Sequence, residues 1–426
     1  MVMVKQTAEM FKYGISRTLQ KFSINFHKNP YLLNKNMFCL NKTYKSKNYS
    51  LKGINLLGIH DTTLRDGEQA PGVVFSPEEK VILAQKALDF GVDIIDMMPC
   101  VSESEERVTR ELVGIAGDRL SATCRAKKSD IDIAMRAGAS RVTLFAPMSD
   151  LHITAKLGIT REENLKRSLE MIEYARSHGL KVDFAGEDST RADMGYLLAF
   201  IKSVERKVEV FFVADTLGCL TPHASYRMFS LLKKACSCRL GLHAHNDFGM
   251  ATANTLEALM AGADFFSGTF TGIGERSGNA PIEEVCTAMK FIGNNGISVD
   301  LGMLKEICDM VESFSGFRLQ PHKPIVGKNS FRHESGIHVD GMLKDPRTYE
   351  NFDPSIVGQK RGIVIGKHSG RSVIRKLMGN RASDEKVDSV LRNIKTLSES
   401  RKVSFSLRSL DLGIAHAEGL PKKIMN

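Results

Sequence analysis

His243 and His245 stand two residues apart in the run Leu242-His243-Ala244-His245-Asn246-Asp247. Along a strand, side chains alternate between faces, so both imidazoles would point the same way. Two co-facing imidazoles suit a divalent cation. Alone, such a pair is as easily a hydrogen-bonded core pair. The carboxylates crowded at neighbouring positions in the pattern below favour the metal. A third ligand would be a carboxylate from another strand end, and Asp61, Asp66, Glu187, Asp188 and Asp215 all compete on spacing alone. Two imidazoles, a carboxylate and an oxygen donor leave positions open for a chelating substrate. A 2-oxo acid offers such a metal its carbonyl and its carboxylate, and the metal polarises the carbonyl for attack.

The elements that would position these groups are legible from residue 54 onward. Short apolar runs alternate with helix-period segments: Ile54–Thr63, Val92–Pro99, Leu120–Arg125, Arg141–Pro147, Leu180–Asp188, Val208–Thr216, Leu240–Asp247 and Ala263–Gly272. They are dense in Val, Ile, Leu and Phe, as strands covered on both faces are. Pro77 to Phe90 reads as a helix with Ser76 as N-cap. Thr160 to His178 reads as another, with Gly179 at its C-terminal stop. Segments near 221–235, 249–261 and 281–293 fit the same pattern. Eight strand-helix units predict an α/β fold of the TIM (β/α)8 type. No G-x-G-x-x-G follows the first strand, which argues against a doubly wound open sheet. In a TIM barrel the chemistry sits where strands end and βα loops begin. The polar clusters fall there: Asp61 to Gln69, Cys124-Arg125, Gly186 to Arg191, Asp215-Thr216, His243 to Asp247 and Gly272 to Asn279.

The 426 residues divide into a basic extension (1–53), the barrel (54–296) and a linker, lid and helical subdomain (297–426). The composition, 42% hydrophobic and 25% charged, excludes wholesale disorder. The formal charge of +10 is not spread over the chain. Residues 1–53 carry ten basic residues and one acid, so the rest is near neutral, and the electrostatic case for nucleic-acid binding fails for it. The extension has the composition of an organellar transit peptide, mitochondrial or plastid; a solvated tail on a cytoplasmic protein is the alternative. No apolar run approaches the ~20 residues of a membrane span. Eight Cys show no disulfide framework and read as reduced thiols.

Several runs together resemble the 2-isopropylmalate, homocitrate and citramalate synthase family. They are Leu64-Arg65-Asp66-Gly67-Glu68-Gln69, Leu242 to Gly249, Gly272 to Asn279, His333-Glu334-Ser335-Gly336-Ile337-His338-Val339-Asp340-Gly341 and Gly366-Lys367-His368-Ser369-Gly370. The resemblance spans roughly residues 56–375. It implies a Claisen condensation of acetyl-CoA, as co-substrate, with a 2-oxo acid. It implies Asp66, His243, His245 and Asn279 as ligands of Mg²⁺, Mn²⁺ or Zn²⁺, and Arg65 as the cation that meets negative charge at the polarised carbonyl. Thr216 would bind the 2-oxo acid's carboxylate, with Gln69 in the same shell. Glu187 and Glu275 would lie near the CoA thioester. His338 would be the general base, with Tyr349 nearby, since imidazole suits proton transfer near neutral pH. In the family the segment bearing this His reaches over a partner's barrel, which implies a homodimer with shared active sites.

The stretch Glu187 to Asp193 resembles the homocitrate synthase version. Arg191 is then the group to pair with a distal carboxylate, and 2-oxoglutarate is the expected acceptor, with 2-oxoisovalerate or pyruvate as alternatives. Two departures bear on this. The second strand ends Asp96-Met97-Met98-Pro99-Cys100, where the family usually has Glu and small residues, and the two Met side chains would fill space near the pocket. Thr271 stands where isopropylmalate synthases carry Asn. A lyase acting on 3-hydroxy-3-methylglutaryl-CoA would need a Cys in the Gly272–Asn279 loop, and this loop has none. Residues 326–376 read as a loop-dominated lid, followed by helices over Ser369–Met378 and Ser383–Ser398. That is too little chain for the leucine-sensing domain of long family members, so feedback through such a domain is not expected.

Overall fold

The computed structural model describes residues 54–293, 297–379 and 382–406. The basic extension with its targeting reading, and the chain end beyond 406, lie outside the described residues. Two compact units divide them: residues 54–327 with Ile356–Gly358, and residues 328–355 with 359–406.

The first unit is a closed barrel of eight parallel strands in sequence order. These are β1 (Gly58–Asp61), β2 (Ile94–Met97), β3 (Leu120–Arg125), β4 (Arg141–Pro147), β5 (Lys181–Glu187), β6 (Val210–Asp215), β7 (Arg239–Ala244) and β8 (Phe265–Gly268). β1 closes on β8 from Gly58 opposite Phe265 to Asp61 opposite Gly268. Each strand lies within or beside an apolar run read from the sequence. β1 and β8 are shorter than their runs because turns end them. Asp61 Oδ1 accepts from Thr63 N at 2.9 Å, and after β8 the chain passes through Thr271 at φ 69°.

The barrel's outer layer contains α1 (Pro77–Phe90), α2 (Glu103–Ala116), α3 (Lys128–Arg136), α4 (Arg161–Ser177), α5 (Met194–Val204), α6 (Pro222–Ala235), α7 (Ala251–Met260) and α8 (Ile282–Phe291). Ser76 and Glu79 form a reciprocal capping box on α1, and Gly91 at φ 107° stops it. Thr160 caps α4 by accepting from Glu163 N. After α8, α9 (Leu304–Ser315) completes this unit. No helix among the described residues is long and apolar enough to cross a membrane.

Lys80 of α1 fastens the loop after β1. Its side chain is 1% exposed and bonds Glu68 Oε2 at 2.6 Å and Glu105 Oε1, while Glu68 Oε1 accepts from Phe75 N. Lys80→Met leaves two largely buried carboxylates without their cation. We expect a loss of about 3 kcal/mol, read as a lower denaturation midpoint at unchanged slope. An unchanged midpoint would show that the pair is dispensable.

The second unit has its own core of Val339, Ile365, Val373, Ile374 and Val387. A small sheet, ordered β11-β10-β9, joins β9 (Arg332–His333), β10 (Gly362–Ile365) and β11 (Phe405–Ser406). Three helices pack with it: α10 (Gly336–Lys344), α11 (Arg371–Met378) and α12 (Asp384–Arg401). α10 occupies part of the stretch that reads as loop in the sequence. Gly336 and Gly341 hide its helical character, and contacts explain both. A Cβ at Gly336 would lie 2.6 Å from Gly370 N, and one at Gly341 2.7 Å from the Tyr349 ring.

Candidate active site

The ends of β1, β7 and β8 bring three ligand types together. His243, on β7, and His245, just past it, point into one cavity, as alternation requires. Their Nε2 atoms are 3.3 Å apart. Asp66 Oδ2 lies 3.4 Å from His243 Nε2 and 3.9 Å from His245 Nε2. All three residues are buried, and one atom from each falls within 4.8 Å of the others. Asn279 completes the group. Its amide nitrogen donates to Asp66 Oδ1 at 2.8 Å and to Ile273 O at 3.2 Å. Both partners can only accept here, so the amide orientation is determined. Its carbonyl oxygen is then buried without a hydrogen-bond partner.

That orphaned oxygen and the facing imidazole nitrogens fit a divalent cation. The electrostatics agree. Burial, with His243 alongside, pushes His245 down to about 4, so it is neutral at physiological pH, the form that ligates a cation. Burial alone would raise the Asp66 carboxyl, but Arg65 and the two imidazoles hold it well below its usual range, so it is ionised. Ser267 Oγ lies 2.9 Å from His243 Nδ1. If that nitrogen carries the hydrogen, Nε2 presents a lone pair to the site, as in many metal-bound histidines. We expect Ser267→Ala to weaken cation binding about 10- to 100-fold with unchanged circular dichroism. Equal affinity in calorimetric titration would remove Ser267 from this role.

The other carboxylates that compete on spacing are engaged elsewhere. Asp61 closes its own turn on Thr63, with its pKa raised to about 7 by burial. Asp215 accepts from Thr190 Oγ1 and from the backbone of Cys219 and Leu220. Glu187 bonds Lys156 Nζ at 2.6 Å. Asp188, at φ 58°, bonds Ser149 and Arg191.

The loop Gly272–Asn279 is shaped by contact. A Cβ on Gly274 would collide with Asn279 and Asp66, and one on Gly278, at φ 82°, with the Gly272 carbonyl. The glycines thus let this loop fold tightly enough to present Asn279.

A cavity of about 330 Å³ opens from these groups and is lined by Arg65, Gln69, Glu187, Thr216 and Glu275 as well. Arg65 is fixed between two carboxylates, through Nη1 to Asp66 Oδ2 and Nε to Asp96 Oδ2, both at 2.8 Å. Thr216 Oγ1 accepts from Asp188 N at 2.8 Å, which directs its own hydrogen elsewhere.

One residue read from the sequence is placed differently. Arg191 is not among the cavity's lining residues; its Nε and Nη2 hold both oxygens of Asp188, at 2.8 and 2.7 Å. His338 and Tyr349 belong to the second unit, where their rings stack with centroids 4.1 Å apart. The methionines divide by strand parity: Met98 lines the cavity, whereas Met97 is fully buried and is not among the lining residues. Sequence reasoning missed His60, Asp96, Thr123, Ser267 and Arg276 as cavity residues. Spacing could have found His60 and Asp96, since each stands two positions before another lining residue, Thr62 and Met98.

Comparison with known proteins places these features in a wider set. Residues 57–311 match the HMGL-like family model, and residues 325–402 the model described as homocitrate synthase post-HMGL domain-like. A probable 2-isopropylmalate synthase of Methanopyrus kandleri is 44% identical over 353 residues, covering 81% of this chain and 70% of that protein. The homocitrate synthase AksA of Methanothermobacter thermautotrophicus is 40% identical over 365 residues, covering 84% and 92%. A putative (R)-citramalate synthase CimA of the same organism is 43% identical over 348 residues, covering 80% and 70%. Among solved structures, a hydroxymethylglutaryl-CoA lyase from Pseudomonas aeruginosa superposes with a TM-score of 0.53 at 18% identity, covering 63% of this chain and 95% of that one. Identity that low speaks to the fold alone.

Proposed function

Because this chain belongs to the HMGL-like family, among its 2-isopropylmalate, homocitrate and citramalate synthases, we propose that it condenses acetyl-CoA with a 2-oxo acid. The observation that carries the reading is the convergence of His243, His245, Asp66 and the spare Asn279 carbonyl beside a fixed Arg65.

Those four residues would hold a divalent cation, which would polarise the acceptor's carbonyl. The protein's own groups do the rest. His338 takes a proton from the acetyl methyl of acetyl-CoA. The enolate carbon bonds to C2 of the 2-oxo acid, and the C2 oxygen takes the electron pair and then a proton. Arg65, already oriented by two carboxylates, faces that developing charge without reorganising. Thr216 donates its hydroxyl hydrogen to the acceptor's carboxylate, with Gln69 beside it. Glu187 and Glu275 border the thioester. Water then cleaves the thioester, leaving free CoA and a 2-hydroxy acid with one more carboxylate than the acceptor.

The test is thiol release from acetyl-CoA in the presence of Mg²⁺, Mn²⁺ or Zn²⁺ as single 2-oxo acids are added. Acceptor-dependent release is expected. Absence of release with every acceptor would overturn the reading.

A further inference from the structure

Which 2-oxo acid the cavity takes can be argued from its charges. Its lining holds two guanidiniums, Arg65 and Arg276, and four carboxylates, Asp66, Asp96, Glu187 and Glu275. Both guanidiniums are engaged. Arg65 lies between Asp66 and Asp96. Arg276 holds both oxygens of Asp247, at 2.8 and 2.9 Å, and donates to Thr216 O at 2.6 Å. The cations just outside the lining are engaged too, Lys156 by Glu187 and Arg191 by Asp188. A bound divalent cation would bring the lining to neutrality, and the acceptor's own 2-carboxylate then draws on that cation and on Thr216. A second carboxylate at the far end of the acceptor would meet no uncommitted cation among the cavity's lining residues. A buried charge without a partner is strongly disfavoured.

The wall that the far end would meet carries no cation. In the closed barrel, β7, β8 and β1 are neighbours, and β3 to β6 form the opposite side. Asp66, His243, His245 and Asn279 come from the first group. The second contributes Thr123, Thr143, Phe145, Ala185, Phe212 and Ala214 to the cavity, with Glu187 as its one charged group, a carboxylate that would repel a second one. Both threonine hydroxyls are already bonded, Thr123 to Asp96 Oδ1 at 2.6 Å and Thr143 to Ser121 at 2.8 Å. Phe212 is braced edge-on by His60, with ring centroids 5.1 Å apart. An acceptor held at the β7-β8-β1 side therefore extends its side chain toward methyl groups and aromatic rings.

Taking the condensing reading as given, we propose that the acceptor is a monocarboxylic 2-oxo acid with a short apolar side chain, and that Phe145 and Phe212 limit its size. The support for 2-oxoglutarate lay in Arg191, and that guanidinium is held by Asp188 instead. The experiment compares kcat/KM for pyruvate, 2-oxobutyrate, 2-oxoisovalerate, oxaloacetate and 2-oxoglutarate. The best monocarboxylic acceptor should exceed both dicarboxylic ones by about 100-fold or more. Phe145→Ala should shift the ratio of 2-oxoisovalerate to pyruvate by about 10-fold toward the bulkier acid. A ratio within one preparation is unaffected by any loss of folded protein. Highest kcat/KM with 2-oxoglutarate or oxaloacetate would overturn this inference and leave the condensing activity standing. An unchanged ratio in Phe145→Ala would overturn the assignment of the wall. No thiol release with any acceptor would overturn the condensing reading, and this inference with it.

Discussion

His243→Ala protein is expected to lose cation-dependent turnover by about 10³-fold or more, equivalent to about 4 kcal/mol of barrier. The same loss is expected for Asp66→Ala. The barrel should survive the first change. His243 contributes its backbone to the pairing of β7 with β6 and β8, which Ala preserves, and its side chain meets Ser267, His245 and Asp66, all within the site. Asp66 is a harder case, because its carboxylate also receives Arg65 and Asn279. Asp66→Asn keeps the shape and much of the hydrogen bonding while removing the charge, and should lose cation affinity without losing the fold. Chelation should bring the unaltered protein down to the level of the variants, and calorimetry should show no cation binding by His243→Ala. Full turnover after chelation, or in His243→Ala, would sink the metal assignment.

What was legible beforehand follows from which physical signals are local. Strands buried on both faces read as unbroken apolar runs, so all eight barrel strands could be located. β3 and β4 coincide with their runs, Leu120–Arg125 and Arg141–Pro147, each buried over most of its length and bounded at one limit by an arginine. β1 and β8 end earlier, at turns whose hydrogen bonds and backbone angles are set by tertiary contacts. The helices with strong caps, α1 and α4, were legible at their N-termini for the same local reason.

The imidazole pair was also local, since alternation along one strand decides it. Its carboxylate partner was not. Five acids competed on spacing, and they separate only through the partners each finds in the fold: Asp61 with Thr63, Asp188 with Arg191, Asp215 with Thr190, Glu187 with Lys156, and Asp66 with the imidazoles. Arg191 shows the limit most plainly. In sequence it stands just past a strand end and looks free to meet a substrate. In space an aspartate three residues earlier, held at a left-handed φ, accepts from its Nε and Nη2. Asp96 shows the reverse case. It reads as a departure at the end of β2, yet it holds Arg65 from the side opposite Asp66.

His338→Ala is expected to lower kcat by about 10²- to 10⁴-fold, the usual range for loss of a general base. KM for the 2-oxo acid should change little, because the proposed base would act on acetyl-CoA and not on the acceptor. His338 is exposed in the first turn of α10, so its removal leaves no cavity in the core of Val339, Ile365 and Val373. Its ring lies against Tyr349, at 26° between planes, with His333 edge-on to His338 and tilted by 57° to Tyr349, both at 6.2 Å. Tyr349→Phe keeps that stacking surface and should cost less than the loss of His338. The residue belongs to the second compact unit, whereas the proposed cation ligands belong to the first. A site shared between two subunits, which the sequence resemblance implies, therefore has a direct test. In a homodimer with sites built from both subunits, mixing His338→Ala chains with His243→Ala chains leaves one of the two sites with both intact halves. Activity should return on mixing, although neither variant alone is active. Failure to complement in verified mixed dimers would mean that each chain builds its own site. An equal fall in kcat and acceptor affinity in His338→Ala would instead assign that imidazole to binding the acceptor.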